Sequence, residues 1–495
     1  MEKVFDDPAR LESLVKEKFT FPDFIMMENA ALAIKNLIEE VCGPFDKLRD
    51  HIQCIILCGK GNNGGDGYAL ARLLESSCQT FLYKLAEPTA PEAKRQYEIC
   101  RKLKCTFLSE NKTLALLKEA PEKLVIVDCL FGTGFHEELP SEAARIIKAA
   151  NEACATRIAC DISSGLAFNA DYTVTMGEHK LALFSDKAKK VSGKIIVADL
   201  GFDRKVFENQ SKPAAFLVTE DDQKLPFRNN KAAHKGSYGH TAVYAGEKSG
   251  AAVICATAAM NFGSGLTTLV KTSSSNLEQF KISPELMISK SLPAKTTCAV
   301  IGPGIQNLSE KEIADFQNWF NANTRPSAVF DAGVFDNPIF PKLLKSLDSR
   351  PNARLVLTPH LLELVRLCKS LKLKPEPSVE ELADNPQFKI TIAKKINKLF
   401  PNTVLVIKSA NTFIAAGGQI FIVADGCPSL AKGGSGDLLA GMIAALLAQG
   451  YSAKDAAPTA CQTHALAAKK IGASTYALSP IKLIKTLDCF GYASQ

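Results

Sequence analysis

The chain has 495 residues, of which 46% are hydrophobic and 22% are charged, a balance typical of globular proteins that excludes a disordered or fibrous one. The 59 lysines and arginines exceed the 52 aspartates and glutamates by only seven, and no dense basic run is interleaved with aromatic residues, so we expect no nucleic-acid partner. At about 150 residues per domain, this length predicts two to four domains.

Fifteen cysteines are scattered along the chain without a CxxC pair. Their odd number and irregular spacing argue against a disulfide framework or structural zinc, and they predict reduced thiols in a cytoplasmic protein. The N-terminal segment is charged and lacks an apolar core, so we expect no secretory signal. The longest strongly apolar stretch, residues 438–448, is shorter than the ~20 residues of a membrane helix and predicts a buried helix and no membrane contact.

The first half of the sequence alternates strand and helix patterns. A helical pattern covers residues 24–37, and a second follows a glycine-rich turn near residue 60. Continuous apolar runs, typical of strands buried on both faces, predict five strands, at residues 54–59, 79–85, 124–130, 156–162 and 194–201. This alternation predicts a mostly parallel sheet covered by helices on both faces.

Polar sequence with two prolines interrupts the pattern between residues 203 and 233. We place a domain boundary here, giving domains 1–210 and 211–495; the alternative is a long surface connection. A second α/β series follows, with a strand at 239–246, a helix of small residues, three strands ending in loops, and a hairpin turning at Gly417–Gly418. The helix after residues 433–437 is predicted to be the last long helix.

The segment CGKGNNGGDG, residues 58–67, lies between a predicted strand and a predicted helix. Its GxGxxG glycines would let backbone amides approach a phosphate at the start of the helix. The next strand ends Tyr83-Lys84-Leu85, without the carboxylate that grips a ribose, so an ordinary NAD hydride-transfer site is disfavoured. Dinucleotide binding of that type therefore does not explain the polar residues Asn62, Asn63 and Asp66. They have another function, or they are structural residues of a polar turn.

Two later strands end in aspartate, Asp128 and Asp161, and ligands of parallel sheets bind at this edge. Amide, carboxylate and hydroxyl oxygens there suit K⁺ or Mg²⁺. Asp161 is a candidate general acid or base. Taken singly, each aspartate could instead cap a helix or a turn.

These segments, together with VDCLFGTGF, CDISSGL, ADYTVTMGEHK and the helix residues 27–30, resemble the NAD(P)H-hydrate epimerase domain. The resemblance implies a Rossmann-like fold that interconverts the R and S forms of hydrated NADH and NADPH, with Asp161 as a catalytic residue. It implies K⁺ held by Asn63, Asp128 and Ser164. Ser163 stands where the family usually has proline. The implied nucleotide contacts are Asn62, Asn63, Gly64, Gly65, Asp66, Gly132, Thr133, Gly134, Phe135 and His136.

A second glycine-rich segment, AKGGSGDLLAG, directly precedes an apolar helix. Its glycine amides could stabilise a phosphoryl group, and Asp437 in the first turn fits a base that takes a proton from a substrate hydroxyl. The structural alternative is a helix start carrying a stabilising aspartate. No GxxxxGK[ST] motif occurs in the chain, which argues against a P-loop ATPase.

Three further loops follow predicted strands in this half. They contain Gly302-Pro303-Gly304, Thr358-Pro359-His360 and Lys408-Ser409-Ala410-Asn411-Thr412. His360 could contact substrate or be a satisfied structural histidine, and the lysine loop could contact a nucleotide or be a surface turn.

Together with HKGSYGHTAVYAG and GSGLTTLV, these loops resemble the ribokinase-like NAD(P)H-hydrate dehydratase domain over residues 225–470. The resemblance implies Asp437 as the catalytic residue and Ala251, Gly304 and His360 as contacts of the hydrated nucleotide. Leu361-Leu362, Lys432, Ser429 and the stretch 331–335 depart from the family's usual pattern. The implied ADP or ATP contacts are Lys408, Ser409, Ala410, Asn411, Thr412, Gly433, Gly434, Ser435 and Gly436.

We therefore expect two three-layer αβα domains that repair hydrated nicotinamide cofactors, with K⁺ in the first and Mg²⁺ with ADP or ATP in the second. Phosphorylation of the ring hydroxyl of the S form and elimination of phosphate would restore NAD(P)H. The expected assembly is a cytoplasmic homo-oligomer. The alternatives are a ribokinase-like kinase of a free small alcohol and a non-catalytic, nucleotide-binding N-terminal module.

Overall fold

The computed structural model describes residues 1–43, 52–135, 137–306 and 308–490, which form two compact units. The N-terminal unit comprises Lys3–Ala214, and the C-terminal unit begins at Ala215 and includes Met1–Glu2. This division lies four residues after the boundary predicted at residue 210. Within the described residues, every helix is too short or too polar to cross a membrane.

The N-terminal unit is built on a seven-stranded parallel sheet in the order β4-β3-β2-β5-β6-β7-β9, and a separate parallel pair joins β1 to β8. Its strands are β1 Glu2–Phe5, β2 Gln53–Cys58, β3 Gln79–Lys84, β4 Thr106–Leu108, β5 Leu124–Cys129, β6 Thr156–Cys160, β7 Tyr172–Met176, β8 His179–Lys180 and β9 Lys194–Ala198. Its described helices are α1 Pro8–Phe19, α2 Asp23–Cys42, α3 Asn62–Leu74, α4 Pro91–Lys102, α5 Glu110–Glu119, α6 Ser141–Glu152, α7 Asp186–Val191 and α8 Arg204–Glu208.

The apolar strands of this unit bury both of their faces, as their sequences predict. In β2, Cys54 and Ile56 belong to a core that also contains apolar residues of α1, α2 and α3. Ile55 and Leu57 point the opposite way into a second core with apolar residues of α5 and α6. Because successive side chains of a strand alternate between faces, a continuous apolar run is what such a three-layer arrangement requires.

The C-terminal unit contains ten described strands in the order β13-β12-β11-β14-β15-β16-β17-β18-β19-β10. They are β10 Ala215–Leu217, β11 His240–Ala245, β12 Leu266–Lys271, β13 Met287–Ser289, β14 Cys298–Ile301, β15 Ser327–Phe330, β16 Arg354–Leu357, β17 Thr403–Ile407, β18 Thr412–Ala416 and β19 Gln419–Val423. The described helices are α9 Ser249–Asn261, α10 Glu310–Ala322, α11 Phe340–Asp348, α12 Leu361–Ser370, α13 Val379–Asp384, α14 Pro386–Leu399, α15 Ser435–Ala448, α16 Ala453–Gly472 and α17 Pro480–Thr486.

Strands β11 to β17 are parallel to one another, whereas β18 runs antiparallel to both β17 and β19. Gly417 and Gly418 connect β18 to β19, and both have positive φ, as the two-residue hairpin predicted from the sequence requires. The prediction that α15 is the last long helix is wrong. The 20-residue α16 follows it and contains Pro458, which obscures the helical pattern.

Helices α9 and α15 pack unusually closely beneath this sheet. A Cβ on Gly441 would lie 2.1 Å from the carbonyl oxygen of Cys255 in α9, so only glycine fits this position. The apolar side chains of α15 are all buried, which agrees with the prediction of a core helix. This packing fixes the start of α15, where the second glycine-rich segment lies.

Candidate active sites

A cavity of about 430 Å³ opens where loops follow β2, β5 and β6 of the N-terminal unit, the sheet edge at which parallel sheets bind ligands. Glu12, Lys16 and Met27 of α1 and α2 form its opposite wall. The three loops that the sequence placed at strand ends therefore converge. The residues predicted from the sequence that line the cavity are Asn62, Asn63, Asp66, Gly132, Thr133, Gly134, Phe135 and Asp161.

The glycines of the first segment permit close packing. A Cβ on Gly59 would lie 1.8 Å from the carbonyl oxygen of Leu130, and one on Gly64 would lie 2.0 Å from the carbonyl oxygen of Gly59. A Cβ on Gly65 would lie 2.5 Å from Cε of Met27. Gly64 and Gly65 thus lie behind the cavity wall, where they let α3 begin close to the neighbouring loops.

Asp161 directly follows β6 and has a φ of 71°, a left-handed conformation that residues other than glycine rarely adopt and that is concentrated at functional sites. Its carboxylate is nearly buried, and Oδ1 accepts hydrogen bonds from the Lys180 ammonium and, at 3.4 Å, from the backbone amide of Met176. Oδ2 lies 3.4 Å from where a Cβ on Gly132 would be, so it faces the loop after β5.

Lys180 is a site residue that the sequence analysis missed. It lies in the two-residue β8, which pairs with β1 near the start of the chain. Burial alone would lower the pKa of Lys180, but the charges of Asp161, Glu178 and Glu12 outweigh burial and raise it, so the ammonium stays charged. The sequence feature that could have pointed to Lys180 is the run of three polar residues at 178–180, shortly after β7; in the structure all three are buried.

Two of the predicted K⁺ ligands, Asp128 and Ser164, are buried and hydrogen-bonded to each other. Asp128 accepts hydrogen bonds from the Ser164 hydroxyl at 2.6 Å and from the Ser164 amide at 2.9 Å. Burial raises the pKa of Asp128 to about 6, against the effect of these bonds. The third predicted ligand, Asn63, lies near the loop after β5, and its side-chain oxygen and nitrogen are both buried without a hydrogen-bond partner among the described residues. Oxygen-bearing side chains of these types fit a K⁺ ion.

The loop after β5 connects these ligands to the cavity. Its Phe131 amide donates to Ser164 Oγ at 2.9 Å, and the rings of Phe131 and Phe135 stack with centroids 4.1 Å apart. His136, predicted to contact the nucleotide, lies outside the described residues. Ser163, which replaces a usual proline, donates to the carbonyl oxygen of Phe168 at 2.7 Å and accepts from its amide at 3.1 Å, so side-chain hydrogen bonds hold this turn.

In the C-terminal unit, the second glycine-rich segment forms the start of α15. Gly434 precedes the helix with a φ of 89°, and a Cβ there would lie 2.6 Å from Cγ of Pro480. A Cβ on Gly433 would meet nothing within 4 Å, so this side of the loop is open. Asp437 lies in the first helical turn, beside backbone amides that have no partner within the helix.

Asp437 shares its surroundings with a second carboxylate and a lysine. Lys408, which follows β17, donates to Asp331 Oδ1 at 2.7 Å, and Asp331 directly follows β15. The Lys408 nitrogen lies 3.2 Å from where a Cβ on Gly436 would be. Burial and the charge of Asp331 raise the pKa of Asp437 to about 6, although Lys408 lowers it. Asp331 is a second residue that the sequence analysis did not select.

His360 lies at the start of α12, beside the lysine loop. Its Nδ1 accepts from the Glu363 amide at 3.2 Å, and its own amide donates to Glu363 Oε2 at 2.8 Å, a reciprocal helix cap. A parallel bridge joins His360 to Lys408. Burial and the charge of Lys408 lower the pKa of His360, so the imidazole is neutral near pH 7. The Leu361-Leu362 departure is compatible with this cap.

The remaining predicted residues lie on neighbouring loops. Lys248 donates its amide to the Gly304 carbonyl oxygen at 2.9 Å, and a Cβ on Gly304 would lie 3.2 Å from the Cβ of Ala251. This loop packs directly against the Asp331 backbone, since a Cβ on Gly302 would lie 1.7 Å from the Asp331 carbonyl oxygen. Ala251 and Gly304 are therefore adjacent, and their loop touches the one that carries the second carboxylate.

The lysine loop turns sharply from β17 into β18. Ser409 Oγ donates to the carbonyl oxygen of Asn411 at 2.7 Å, Asn411 is buried, and Thr412 begins β18; Ala410 lies at the exposed tip. In the second glycine-rich segment, the Ser435 hydroxyl lies 3.3 Å from Nε2 of His464 in α16. Burial lowers the pKa of His464 to about 4, so this imidazole is neutral.

Two protein-family models match the chain, one in each structural unit. The family described as YjeF-related protein N-terminus matches residues 23–182, and the family described as NAD(P)H-hydrate dehydratase matches residues 242–488. A crystallised ADP/ATP-dependent NAD(P)H-hydrate dehydratase from Bacillus subtilis, prepared with ATP and Mg²⁺, is 24% identical; the match covers 56% of this chain and 97% of that one, with a TM-score of 0.46.

Two relatives match over both units. The bifunctional NAD(P)H-hydrate repair enzyme of Helicobacter pylori is 34% identical, and the match covers 98% of this chain and 99% of that protein. The enzyme of the same name from Escherichia coli K12 is 30% identical over 85% of this chain and 81% of its own length. The chain therefore belongs to the family of bifunctional NAD(P)H-hydrate repair enzymes, which combine an epimerase and a dehydratase in one chain.

Proposed function

We propose that the two sites described above perform the two steps of this repair. The cavity that contains Asp161 epimerises the R and S forms of hydrated NADH and NADPH. The loop that contains Asp437 dehydrates the S form at the expense of ADP or ATP. The observation that carries this assignment is that in each unit a strand-end aspartate accepts a hydrogen bond from a lysine ammonium, and a further carboxyl group lies in the first or second turn of a helix that begins at a glycine-rich segment.

In the dehydratase site, Asp437 accepts the proton of the ring hydroxyl. A pKa of about 6 leaves its carboxylate ionised at neutral pH and makes it a stronger base than an ordinary aspartate. The hydroxyl oxygen then attacks the terminal phosphoryl group of ADP or ATP, which enters as its Mg²⁺ complex. The backbone amides of residues 433–436 stabilise the charge on the transferred group.

Phosphorylation solves the leaving-group problem of this dehydration. Hydroxide leaves poorly, whereas phosphate takes the electron pair of the C–O bond readily. Loss of a proton from the neighbouring ring carbon then restores the double bond and gives NAD(P)H and inorganic phosphate. Ala251, Gly304 and His360 contact the hydrated nucleotide. The ADP or ATP contacts are Lys408, Ser409, Ala410, Asn411, Thr412, Gly433, Gly434, Ser435 and Gly436.

In the epimerase site, residues 62–66 and the loop 132–136 bind the hydrated nucleotide, and Asp161 takes part in proton transfer. Asn63, Asp128 and Ser164 would hold K⁺, which would supply positive charge beside a buried carboxylate and order the loop after β5. Lys180 binds one carboxylate oxygen of Asp161, and the other oxygen faces the loop after β5.

The test follows the reduced-nicotinamide absorbance as it recovers from a mixture of both NADH hydrate epimers with Mg²⁺, K⁺ and ADP or ATP. We expect complete recovery, because epimerisation feeds the S form to the dehydratase. A fast phase that stalls would show an idle epimerase. No nucleotide-dependent recovery, together with a stable phosphorylated alcohol as product, would support the small-alcohol kinase instead.

A cytoplasmic location and a homo-oligomeric assembly are also part of this proposal. All fourteen cysteines whose side chains are described are unpaired thiols, as a reducing compartment would leave them. Light scattering of the purified full chain measures the assembly: a mass that is a multiple of 53.4 kDa supports the oligomer, and a mass of 53.4 kDa contradicts it.

A further inference from the structure

The epimerase cavity holds more ionisable side chains than one acid–base residue needs. Glu12, Asp66, Asp161 and Lys180 all line it. Asp161 and Lys180 form a buried pair, which leaves Asp66 as a separate carboxyl group on α3. Asp66 is 9% exposed, and its Oδ2 accepts a hydrogen bond from the Cys160 thiol at 3.7 Å.

The surroundings of Asp66 favour its protonated form. Burial raises the pKa of Asp66 well above its ordinary value, and the charges of Asp161 and Glu12 raise it further, against smaller opposing effects of Cys160 and Lys180. The charged or titratable groups around Asp66 are Glu12 of α1, Cys58 of β2, Cys129 of β5, Cys160 of β6, Asp161 and Lys180 of β8. The three thiols are buried and stay protonated.

Asp161 is placed to accept a proton rather than to donate one, because its Oδ1 already accepts hydrogen bonds from the Lys180 ammonium and the Met176 amide. Epimerisation nevertheless needs a donor. Hydration of the ring places the hydroxyl on a carbon bonded to the ring nitrogen, and hydroxide is a poor leaving group until it is protonated. The three carboxyl groups of the cavity differ in their contacts. An ammonium group contacts Asp161, from Lys180, and Glu12, at 3.8 Å from Lys16, whereas Asp66 accepts from the Cys160 thiol. Asp66 is therefore the carboxyl group best suited to hold and donate a proton.

We propose that Asp66 is the proton donor of epimerisation, protonating the ring hydroxyl as its C–O bond breaks. The inference rests on the proposed epimerase function. Water leaves with the electron pair of the C–O bond and the proton of Asp66, while the nitrogen lone pair forms a C=N⁺ bond. Water then adds to the opposite face and gives a proton to the Asp161 carboxylate.

The protons balance over one turnover. After the forward reaction Asp66 is ionised and Asp161 is protonated, and proton exchange with solvent restores the starting state. The reverse reaction begins from the state in which Asp66 is ionised and Asp161 is protonated. Asp161 is then the proton donor and Asp66 the acceptor, as microscopic reversibility requires. The oxygen of the hydroxyl group therefore comes from solvent after every epimerisation.

The experiment compares the full-length wild type with Asp66→Asn in H₂¹⁸O, starting from a single NADH hydrate epimer. Separation of the epimers and mass spectrometry give the epimerisation rate and the ¹⁸O content. For the wild type we expect one ¹⁸O incorporated per epimerisation. For Asp66→Asn we expect kcat for epimerisation to fall about 100-fold or more with little change in KM.

Two controls make the result specific. Glu98→Gln makes the same carboxyl-to-amide change on the exposed face of α4 and should epimerise at the wild-type rate. Dehydration of the S form by Asp66→Asn should also be unchanged, which shows that the C-terminal unit is folded, while the unchanged KM for epimerisation shows that the epimerase cavity is intact.

Wild-type kcat in Asp66→Asn would overturn the inference, and so would wild-type epimerisation without ¹⁸O incorporation. A loss confined to KM would likewise overturn it, because Asp66 would then only bind substrate. A wild-type chain that dehydrates the S form but does not epimerise would overturn the proposed epimerase function itself, a result distinct from these.

Discussion

In the N-terminal unit, Asp161 follows β6 and is bound to Lys180; in the C-terminal unit, Asp331 follows β15 and is bound to Lys408. In both units a glycine-rich segment then starts a helix that carries a further carboxyl group, Asp66 on α3 or Asp437 on α15. In both units, therefore, an aspartate after a parallel strand, a lysine and a helix carboxyl group lie close together.

The difference lies in the helix carboxyl group. Asp437 is in the first turn and only partly buried, and its pKa of about 6 leaves it ionised at neutral pH. Asp66 is in the second turn and is more deeply buried, and this burial raises its pKa well above the ordinary value. One carboxyl group is therefore suited to accept a proton and the other to hold one. The position of the carboxyl group along its helix thus distinguishes the proposed base, Asp437, from the proposed acid, Asp66.

The largest expected effect is that of Asp437→Asn. An amide cannot accept the hydroxyl proton, so dehydration of the S hydrate should fall by about 10²- to 10⁴-fold while epimerisation is unchanged. The measurement is nucleotide-dependent recovery of absorbance from the S form. Asp315→Asn on the exposed face of α10 is the matched control. Full dehydration by Asp437→Asn would show that this carboxylate is not the base.

Asp161→Asn should lower epimerisation about 100-fold and leave dehydration of the S form intact. The change removes the carboxyl group that Lys180 holds in place, and with it the proposed acceptor for the proton of the added water. Chiral separation of the epimers over time measures the effect. Equal epimerisation by the variant and the wild type would mean that Asp161 has no part in the chemistry.

Asp128→Asn should raise the K⁺ concentration needed for half-maximal epimerisation at least tenfold, since even the loss of an outer-shell partner has an effect of about that size. Thermal unfolding gives a readout that is independent of activity. K⁺ should raise the Tm of the wild type more than Li⁺ does, and this difference should vanish in the variant. Equal stabilisation of the wild type by both ions would argue against a K⁺ site.

The smallest expected effects are shifts in the pH profile of dehydration. Because Asp437 must be ionised, kcat/KM should fall as the pH drops below about 6. Asp331→Asn removes a charge that raises the pKa of Asp437, so the midpoint should move to lower pH. Lys408→Met removes one that lowers it, so the midpoint should move to higher pH. Shifts in the same direction for both variants would contradict this electrostatic account.

Local patterns in the sequence predicted most of the fold and of both sites. The two glycine-rich segments and Asp128 and Asp161 could be placed because a buried strand followed by a polar loop is a contiguous signal. The two-sided cores explain why the strands read as unbroken apolar runs.

The missed residues depend on contacts that are distant in sequence. Lys180 reaches Asp161 because β8 pairs with β1, and no local pattern links residues 4–5 to 179–180. Asp331 becomes part of a site only because β15 and β17 bring it to Lys408, 77 positions later in the chain. Pro458 within α16 misled the helix prediction, because a helix interior normally excludes proline.

The most direct test of two separate sites is complementation between the single variants Asp161→Asn and Asp437→Asn on a mixture of both NADH hydrate epimers. Alone, Asp161→Asn should recover absorbance rapidly only until the S form is consumed and then continue at its residual, about 100-fold lower epimerisation rate; Asp437→Asn should recover almost none. Mixed together, they should give complete recovery, because each supplies the activity that the other lacks. A mixture that stalls at the level of Asp161→Asn alone would contradict the account.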